Sequence, residues 1–478
     1  MAPSRSRSPS RLVLAIDIGT SSVRTALFDA KGRLRRGSKT SRGYQVRHSA
    51  NHGAELDPDE LLRAARYCFR QTQSSLDKHE RVVVAGSGFW HSLLGIDRAG
   101  DPLTPVYTWG DGRASREAAQ LRKEFDEFTI QQRTGCMLRA SFWPAKLVWL
   151  RRTQAKLFRR VTRWVSPAEW IFEKLFGVQG CSHSMASGTG LYHFMRRGWD
   201  DELLARVGLT PAQLGPLRDR IGRQESEIFP AIGDGAAGNL GSGATAARVV
   251  AINVGTSAAV RALAPDATPL PFGLFRYRAD EKRSLLGGAI SNAGNLRAWC
   301  LRELRLPDHQ RRIENLLRAA GSSEDASLTI LPFWVDERAP SWPENLAGTI
   351  VGLNQTTTAA DLLRAAVGAS FLRLAEILQK LEGAIGRSRK IVVSGGILQS
   401  AASLQLLADS LGRDLEVCAD QEASLRGAAI HALAGLGLAA APPQFRRPVR
   451  HNKKRAVQLR RQLNRQQALE ARLSDWRW

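Results

Sequence analysis

One pattern occurs twice in this chain and limits its fold more than any other feature. Residues 12–24 read LVLAIDIGTSSVR, and residues 249–261 read VVAINVGTSAAVR. Each is a short apolar run, then Asp or Asn, then Gly-Thr-Ser after one more apolar residue, ending in Val-Arg. Alternation resumes beyond both arginines. Such a pattern on either side of a Gly/Thr/Ser corner predicts a β-hairpin with a tight turn. A second pair follows in the same order. RVVVAGSG at 81–88 and RKIVVSGG at 389–396 are buried-looking strands that run into glycine-rich turns. Two matched pairs in one order imply two related units.

Between these strands, apolar residues three and four apart predict helices over Leu61–Leu76, Ala145–Arg152, Thr358–Leu381 and Ser403–Leu411. Ser400 is placed to cap the last of them. Alternating strands and helices make the class α/β. The first unit is expected over residues 12–245 and the second over 246–438, with a basic tail at 1–11. Beyond them, Pro442, Pro443 and Pro448 break the segment 439–478. A very basic helix follows from about residue 450 to 473, too polar for a core.

Several classes are excluded. No run of about 18 apolar residues occurs, so no membrane helix is expected. The opening MAPSRSRSPSRLVLAI runs straight into Asp17 without a small-residue cleavage site, which reads as a strand and not a signal peptide. Cys68, Cys136, Cys181, Cys300 and Cys418 are scattered and never spaced as CxxC. That argues against a disulfide framework or zinc site and for a reducing cytoplasm. The net charge of +24 is unusual, but about half of the excess is terminal: Arg446–Trp478 holds eleven Lys/Arg against two acids, and Arg5, Arg7 and Arg11 lie at the other end. A solvated helix face accounts for it. Only Phe445, Trp476 and Trp478 interleave aromatics with the basic tail, so nucleic acid is not the expected partner.

The repeated turns carry the chemistry. Gly, Thr and Ser in a hairpin corner present several N–H groups and hydroxyls in one small space, which suits phosphate oxygens. A single copy reads as a plain hairpin, whereas two copies facing each other would clamp a polyphosphate. Asp17 is a hard oxygen ligand able to hold Mg²⁺, directly or through water, and Arg24 adds positive charge. Asn253 replaces the acid in the second copy, so one half carries the metal, as suits a single ATP. Gly395-Gly396, after a strand and before a helix, lets a flat ligand such as adenosine approach the backbone. GDGAAG at 233–238 matches GxGxxG without an apolar strand before it, and no GxxxxGK[ST] is present, so neither a dinucleotide fingerprint nor a P-loop is read. The same stretch sets Asp234 among small residues, where a carboxylate can take a proton from a substrate hydroxyl. An Asp in an exposed turn is the competing reading.

These residues resemble the FGGY family of carbohydrate kinases. DIGTSSVR and NVGTSAAVR are similar to its two phosphate motifs. VVSGGILQSAASLQLLADSLGRDLEV with EASLRGAAIHA is similar to its adenosine motif, and GDGAAGNLGSGA to the stretch with the catalytic base. The resemblance spans about residues 12–438 and implies two actin-like (ribonuclease H-like) domains with a cleft between them, using ATP and Mg²⁺. It makes Asp234 the base and Asp17 the metal ligand. It assigns ATP to Thr20, Ser21, Ser22, Arg24, Gly255, Thr256, Ser257, Gly294 (in AISNAGNLRAW), Gly395, Gly396 and Ser400. FWHSLLGIDRAGDPLTPVYTWGDGRA (89–114), FGLFRYR (272–278) and LPFWVDERAPSWPENLAGTIVGL (331–353) look most like the gluconate kinases. By that resemblance His91, Ser92, Trp109, Asp111 and Arg113 line the sugar site beside Asp234, and a sugar acid such as gluconate is the expected substrate. Xylulose, ribulose and glycerol are the alternatives, and a homodimer is compatible. On the residues alone, Trp109 is equally a core residue, His91 a supporting one and Asp111–Arg113 a structural ion pair. Trp90 stands where the family usually has Met, and SHSMASGTGL (182–191) lacks the Asp often found ahead of its Ser-x-Ala-Ser run.

Overall fold

The apolar run at 12–18 has no polar face to offer water, so it can only be a strand covered on both sides. In the computed structural model it is β1 (Arg11–Ile18), with Leu12–Ile16 and Ile18 all buried. Residues 11–77, 79–222, 227–280, 282–319, 328–344, 346–420 and 422–474 are described. Arg5, Arg7, the rest of the expected N-terminal tail up to residue 10, and Trp476 and Trp478 lie outside them.

The first repeat forms the expected hairpin with β2 (Ser22–Phe28), to which β3 (Thr40–Gly43) adds. On its other side β1 pairs in parallel with β4 (Arg81–Gly88), followed by β5 (Ile228–Gly233), giving the order β5-β4-β1-β2-β3. Helices α1 (Pro58–Gln73), α2 (Trp143–Thr153) and α3 (Asp234–Gly241) belong to this unit. Asp57 begins α1 by accepting from the N–H groups of Asp59 and Glu60.

The second repeat builds the same arrangement from β6 (Val249–Val254), β7 (Ala258–Ala264), β8 (Ser284–Ile290), β9 (Lys390–Ser394) and β10 (Glu416–Val417). Their order is β8-β7-β6-β9-β10, with β6 antiparallel to β7 and parallel to β9. Its helices include α4 (Gly294–Glu303), α5 (Ala359–Ile385) and α6 (Ala401–Leu411). Leu363, Phe371, Leu374 and Leu378 of α5 bury against Val250 and Ile252 in one apolar core. Ser400 caps α6 as expected, accepting from Ser403 N at 3.1 Å.

The compact units do not follow the linear division at 245 and 438. The first holds the chain up to Gly241 together with Phe275–Leu285 and Glu422–Pro442, and the second holds Ser242–Leu274, Leu286–Gln421 and the chain from Pro443. Helix α7 (Ala423–Gly435) packs within the first. Glycine is the reason. A Cβ on Gly427 would stand 1.7 Å from Ala237 O, and one on Gly241 1.8 Å from Ala423 O, so α7 and α3 meet backbone to backbone. Gly427→Val is expected to lower stability by about 3 kcal/mol, because backbone cannot yield as a side chain would. Urea denaturation checks this; an unchanged midpoint would show that the two helices do not meet backbone to backbone.

The basic helix α8 (Lys453–Leu473) corrects the reading of a segment too polar to pack. Leu459 and Leu463 are buried, and Gln466 Nε2 donates to Ile330 O at 2.8 Å and Ala369 O at 3.2 Å. Arg373, also buried, donates to Glu470 at 2.5 Å. Positions 459, 463, 466 and 470 share one helix face, so a narrow stripe docks α8 on the second unit while its other faces stay cationic.

Candidate active site

In the first unit, register places Asp17 opposite Ser87 on one side and Arg24 on the other. The Ser87 hydroxyl and the Arg24 guanidinium each donate to a different oxygen of this buried carboxylate. Arg24 also donates to Glu422 at 3.0 Å, and Asp17 beside it raises its pKa above the ordinary arginine value. Arg24 is thus bound into an acid–base chain at the end of β2. In the turn itself, Gly19 N donates to Ser22 O at 3.0 Å, and the Tyr44 hydroxyl donates to Gly19 O. Ser21 is exposed and Thr20 half-buried. The Thr20 hydroxyl accepts from Trp109 Nε1 at 3.1 Å, joining the turn to the segment expected to read sugar. Trp109 N donates in turn to Ser92 Oγ at 3.1 Å.

Asp234 is no exposed turn residue. It opens the eight-residue α3 directly after the fully buried β5, which corrects the reading that no apolar strand precedes GDGAAG; it is itself half-buried and accepts from Gly235 N at 2.7 Å. The small residues after it serve packing against α7. Trp90 lies against Gly233, whose Cβ would fall 1.8 Å from the indole, and against Gly188 at 2.4 Å, so the bulky replacement for Met fits only because both are glycines. The run lacking its Asp still holds β5: Ser182 Oγ donates to Ala231 O at 2.6 Å and Ser184 Oγ accepts from Gly233 N at 3.1 Å. His91 adopts φ 67°, a left-handed conformation unusual for a side chain of its size. Its Nδ1 donates to Gly188 O at 2.5 Å, and its ring packs 4.7 Å from Phe142 and 5.5 Å from Tyr277.

Asp111 and Arg113 come together as an ion pair. Arg113 Nη2 donates to Asp111 at 2.5 Å and Glu55 at 2.6 Å, and its guanidinium lies 4.7 Å from the Trp149 ring centroid. Burial alone would lower the Arg113 pKa, but these carboxylates raise it above the usual value. Asp111 also accepts from Ala54 N at 3.2 Å. Behind them is a residue the sequence reading missed. Lys146, fully buried on α2, donates to Thr108 O at 2.8 Å, Ser141 O at 2.7 Å and His91 O at 3.4 Å. Burial pushes its pKa down to about 7. Its one visible signal was a lysine within the apolar run WPAKLVWL.

In the second unit the hairpin corner is one residue shorter: Val254 pairs with Ala258, where Ile18 pairs with Val23. Arg261 consequently sits opposite Ala251, two residues further from the turn than a counterpart of Arg24 would be. Asn253 Nδ2 donates to Ser394 Oγ at 3.1 Å, repeating the Asp17–Ser87 pairing without charge. Gly255 N donates to Ser257 O at 2.9 Å, Gly294 N to Gly255 O at 3.0 Å and Asn295 N to Thr256 O at 3.1 Å. A Cβ on Gly294 would meet Gly255 O at 2.3 Å, and Gly395, at φ 95°, packs where a Cβ would meet Val254 O at 2.6 Å. Gly255, Thr256, Ser257, Gly294, Gly395 and neighbouring Gly396 are therefore gathered at one end of the second sheet. Ser400 serves as cap and also donates to Glu314 at 2.5 Å. Glu337, another residue not singled out, is buried and accepts from Ser291 N at 2.6 Å and Asn292 Nδ2 at 3.1 Å, holding the loop before Gly294. Burial raises its pKa.

Two family profiles match the chain, those of the N-terminal domain (residues 12–257) and the C-terminal domain (250–436) of the FGGY family of carbohydrate kinases. The protein belongs to this family. The gluconokinase of Bacillus subtilis (strain 168) is 26% identical over 89% of this chain and 88% of its own. The xylulose kinase of Streptomyces rubiginosus is 29% identical over 89% and 88%. The crystal structure of the gluconate kinase from Lactobacillus acidophilus superposes with a TM-score of 0.89 at 24% identity, covering 98% of this chain and 99% of that one. This FGGY kinase accordingly has the two-domain actin-like (ribonuclease H-like) fold and is an ATP-dependent sugar kinase. Among its described residues no helix is long and apolar enough to cross a membrane.

Proposed function

We propose that this kinase phosphorylates the primary hydroxyl of a sugar acid, converting D-gluconate to 6-phosphogluconate. The observation that carries the reading is Asp234, a half-buried carboxylate at the end of a buried strand, on the same unit as the Trp109–Thr20 link between sugar segment and phosphate turn. Asp234 takes the proton of the attacking hydroxyl as its oxygen bonds to the γ-phosphorus and the bond to the ADP oxygen breaks. His91, Ser92 and Trp109 orient the sugar, while Asp111 and Arg113 brace that wall as an ion pair. Thr20, Ser21 and Ser22 on one unit and Gly255, Thr256 and Ser257 on the other cradle phosphates. Gly294, Gly395 and Gly396 border the adenosine, and Ser400 fixes the helix behind them.

Mg²⁺ supplies charge neutralisation on the phosphates when bound. Among the described residues no group of three or more His, Cys, Asp or Glu could hold a metal. A site with a single carboxylate suits this ion, which keeps waters and takes phosphate oxygens as further ligands. Asp17 fits, because among the described residues each of its oxygens accepts one protein hydrogen bond and a carboxylate has about four acceptor positions. Five free, buried cysteines support a cytoplasmic setting.

Gluconate is favoured because the segment resembling the gluconate kinases brings Tyr277 to 4.8 Å from Trp90 and 5.5 Å from His91. The 29% identity to a xylulose kinase supports a ketopentose as the second reading. ADP release from ATP·Mg²⁺ against gluconate, xylulose, ribulose and glycerol separates them. A selective response to gluconate is expected; a response to xylulose alone keeps the mechanism and discards the sugar acid.

A further inference from the structure

A cavity of about 470 Å³ opens in the second unit between α5, the C-terminal end of α6 and α8. Its volume is that of a small-molecule site. Four arginines line it: Arg387, Arg413, Arg460 and Arg461. The only acid among the described lining residues, Glu382, is already satisfied, accepting from Arg413 at 2.6 Å and from Ser388 N at 2.9 Å. Arg387, Arg460 and Arg461 are exposed and have no carboxylate partner among the described residues. The docking of α8 explains their convergence. Leu459, Leu463 and Gln466 hold one face of the helix, so Arg460 and Arg461, with Val457 ahead of them, are presented to the cavity by rigid backbone.

Three uncompensated guanidiniums in one concavity repel each other unless an anion joins them, and their planar forks match phosphate oxygens in pairs. We propose that this cavity binds a small molecule bearing phosphate groups, at a site separate from the nucleotide turns. The eleven residues of α6 lie between it and Gly395-Gly396, about 16 Å of helix. Among the described residues no aromatic side chain lines the cavity, so stacked nucleic-acid bases find no platform there.

The test is calorimetric titration of inorganic pyrophosphate into the full chain kept saturated with ADP and Mg²⁺, so that the nucleotide site is filled. One further site is expected, weakening as salt rises. In the double variant R460E/R461E its affinity falls at least tenfold, while the circular dichroism spectrum and kinase activity without pyrophosphate stay as in the parent. Absence of binding in the ADP-saturated protein overturns the proposal, as does equal binding in the variant. Displacement of pyrophosphate by a short RNA duplex of higher affinity overturns it too, since the arginines would then form part of a nucleic-acid surface.

Discussion

Asp234→Asn is expected to reduce kcat by roughly 10²–10⁴-fold, the usual contribution of a positioned general base, while ATP binds as before. The amide matches the carboxylate in size and can still accept from Gly235 N, so the start of α3 is retained. What is lost is the capacity to take a proton. Strand β5 does not depend on this side chain, being held by Ser182, Ser184 and the Trp90 ring at Gly233. ADP release with saturating sugar, together with ATP titration, measures both halves of the expectation. Turnover within tenfold of the parent would exclude Asp234 as the base. Loss of ATP binding as well would mean that the change had disturbed the fold.

The second large effect is expected at Lys146. Its ammonium gathers three carbonyls, two of them belonging to His91 and Thr108, the latter next to Trp109. Lys146→Met keeps the apolar stem and leaves those carbonyls without a donor, at a cost of about 2–4 kcal/mol. With His91 and Trp109 no longer tied together, the sugar KM should rise more than tenfold and kcat change less. Lys146→Arg should not rescue it, because a planar fork cannot point three ways. The pH dependence follows from the depressed pKa. Between about 7 and the ordinary lysine value of about 10.4 the unfolded chain binds a proton that the native state does not, so this group makes stability rise with pH across that window. The Met variant should lose that slope. Urea midpoints at several pH values and a KM–kcat split check both points, and parental values in both would show Lys146 to be dispensable.

The buried strand ahead of Asp234 was not legible in the sequence, whereas both hairpins, both echo strands and the cap at Ser400 were. Each rests on residues a few positions apart, where φ/ψ preference, alternation and side-chain size act locally. Even the asymmetry of the halves, Asp17 against Asn253, stands in the letters. The spacing from Gly-Thr-Ser to Arg, one residue longer in the second copy, stands in the letters as well, but the shorter corner appears only when register sets Arg24 opposite Asp17 and Arg261 opposite Ala251.

Other features depend on residues far apart in the chain. Nothing near Arg113 in sequence identifies Glu55 as the second carboxylate that holds it, and nothing near Lys146 names its acceptors. Helix α7 comes directly after β10 of the second unit in the chain, yet it packs within the first unit, where Gly427 lets it reach the backbone of Ala237. Basic composition made α8 look unpackable, although two leucines, a glutamine and a glutamate on one face were enough to dock it. Local chemistry is written in short-range patterns, because the backbone responds to its nearest neighbours. Which helix completes which unit, and which charges meet, depends on close packing between distant segments, where the absence of a single Cβ decides whether two backbones can touch.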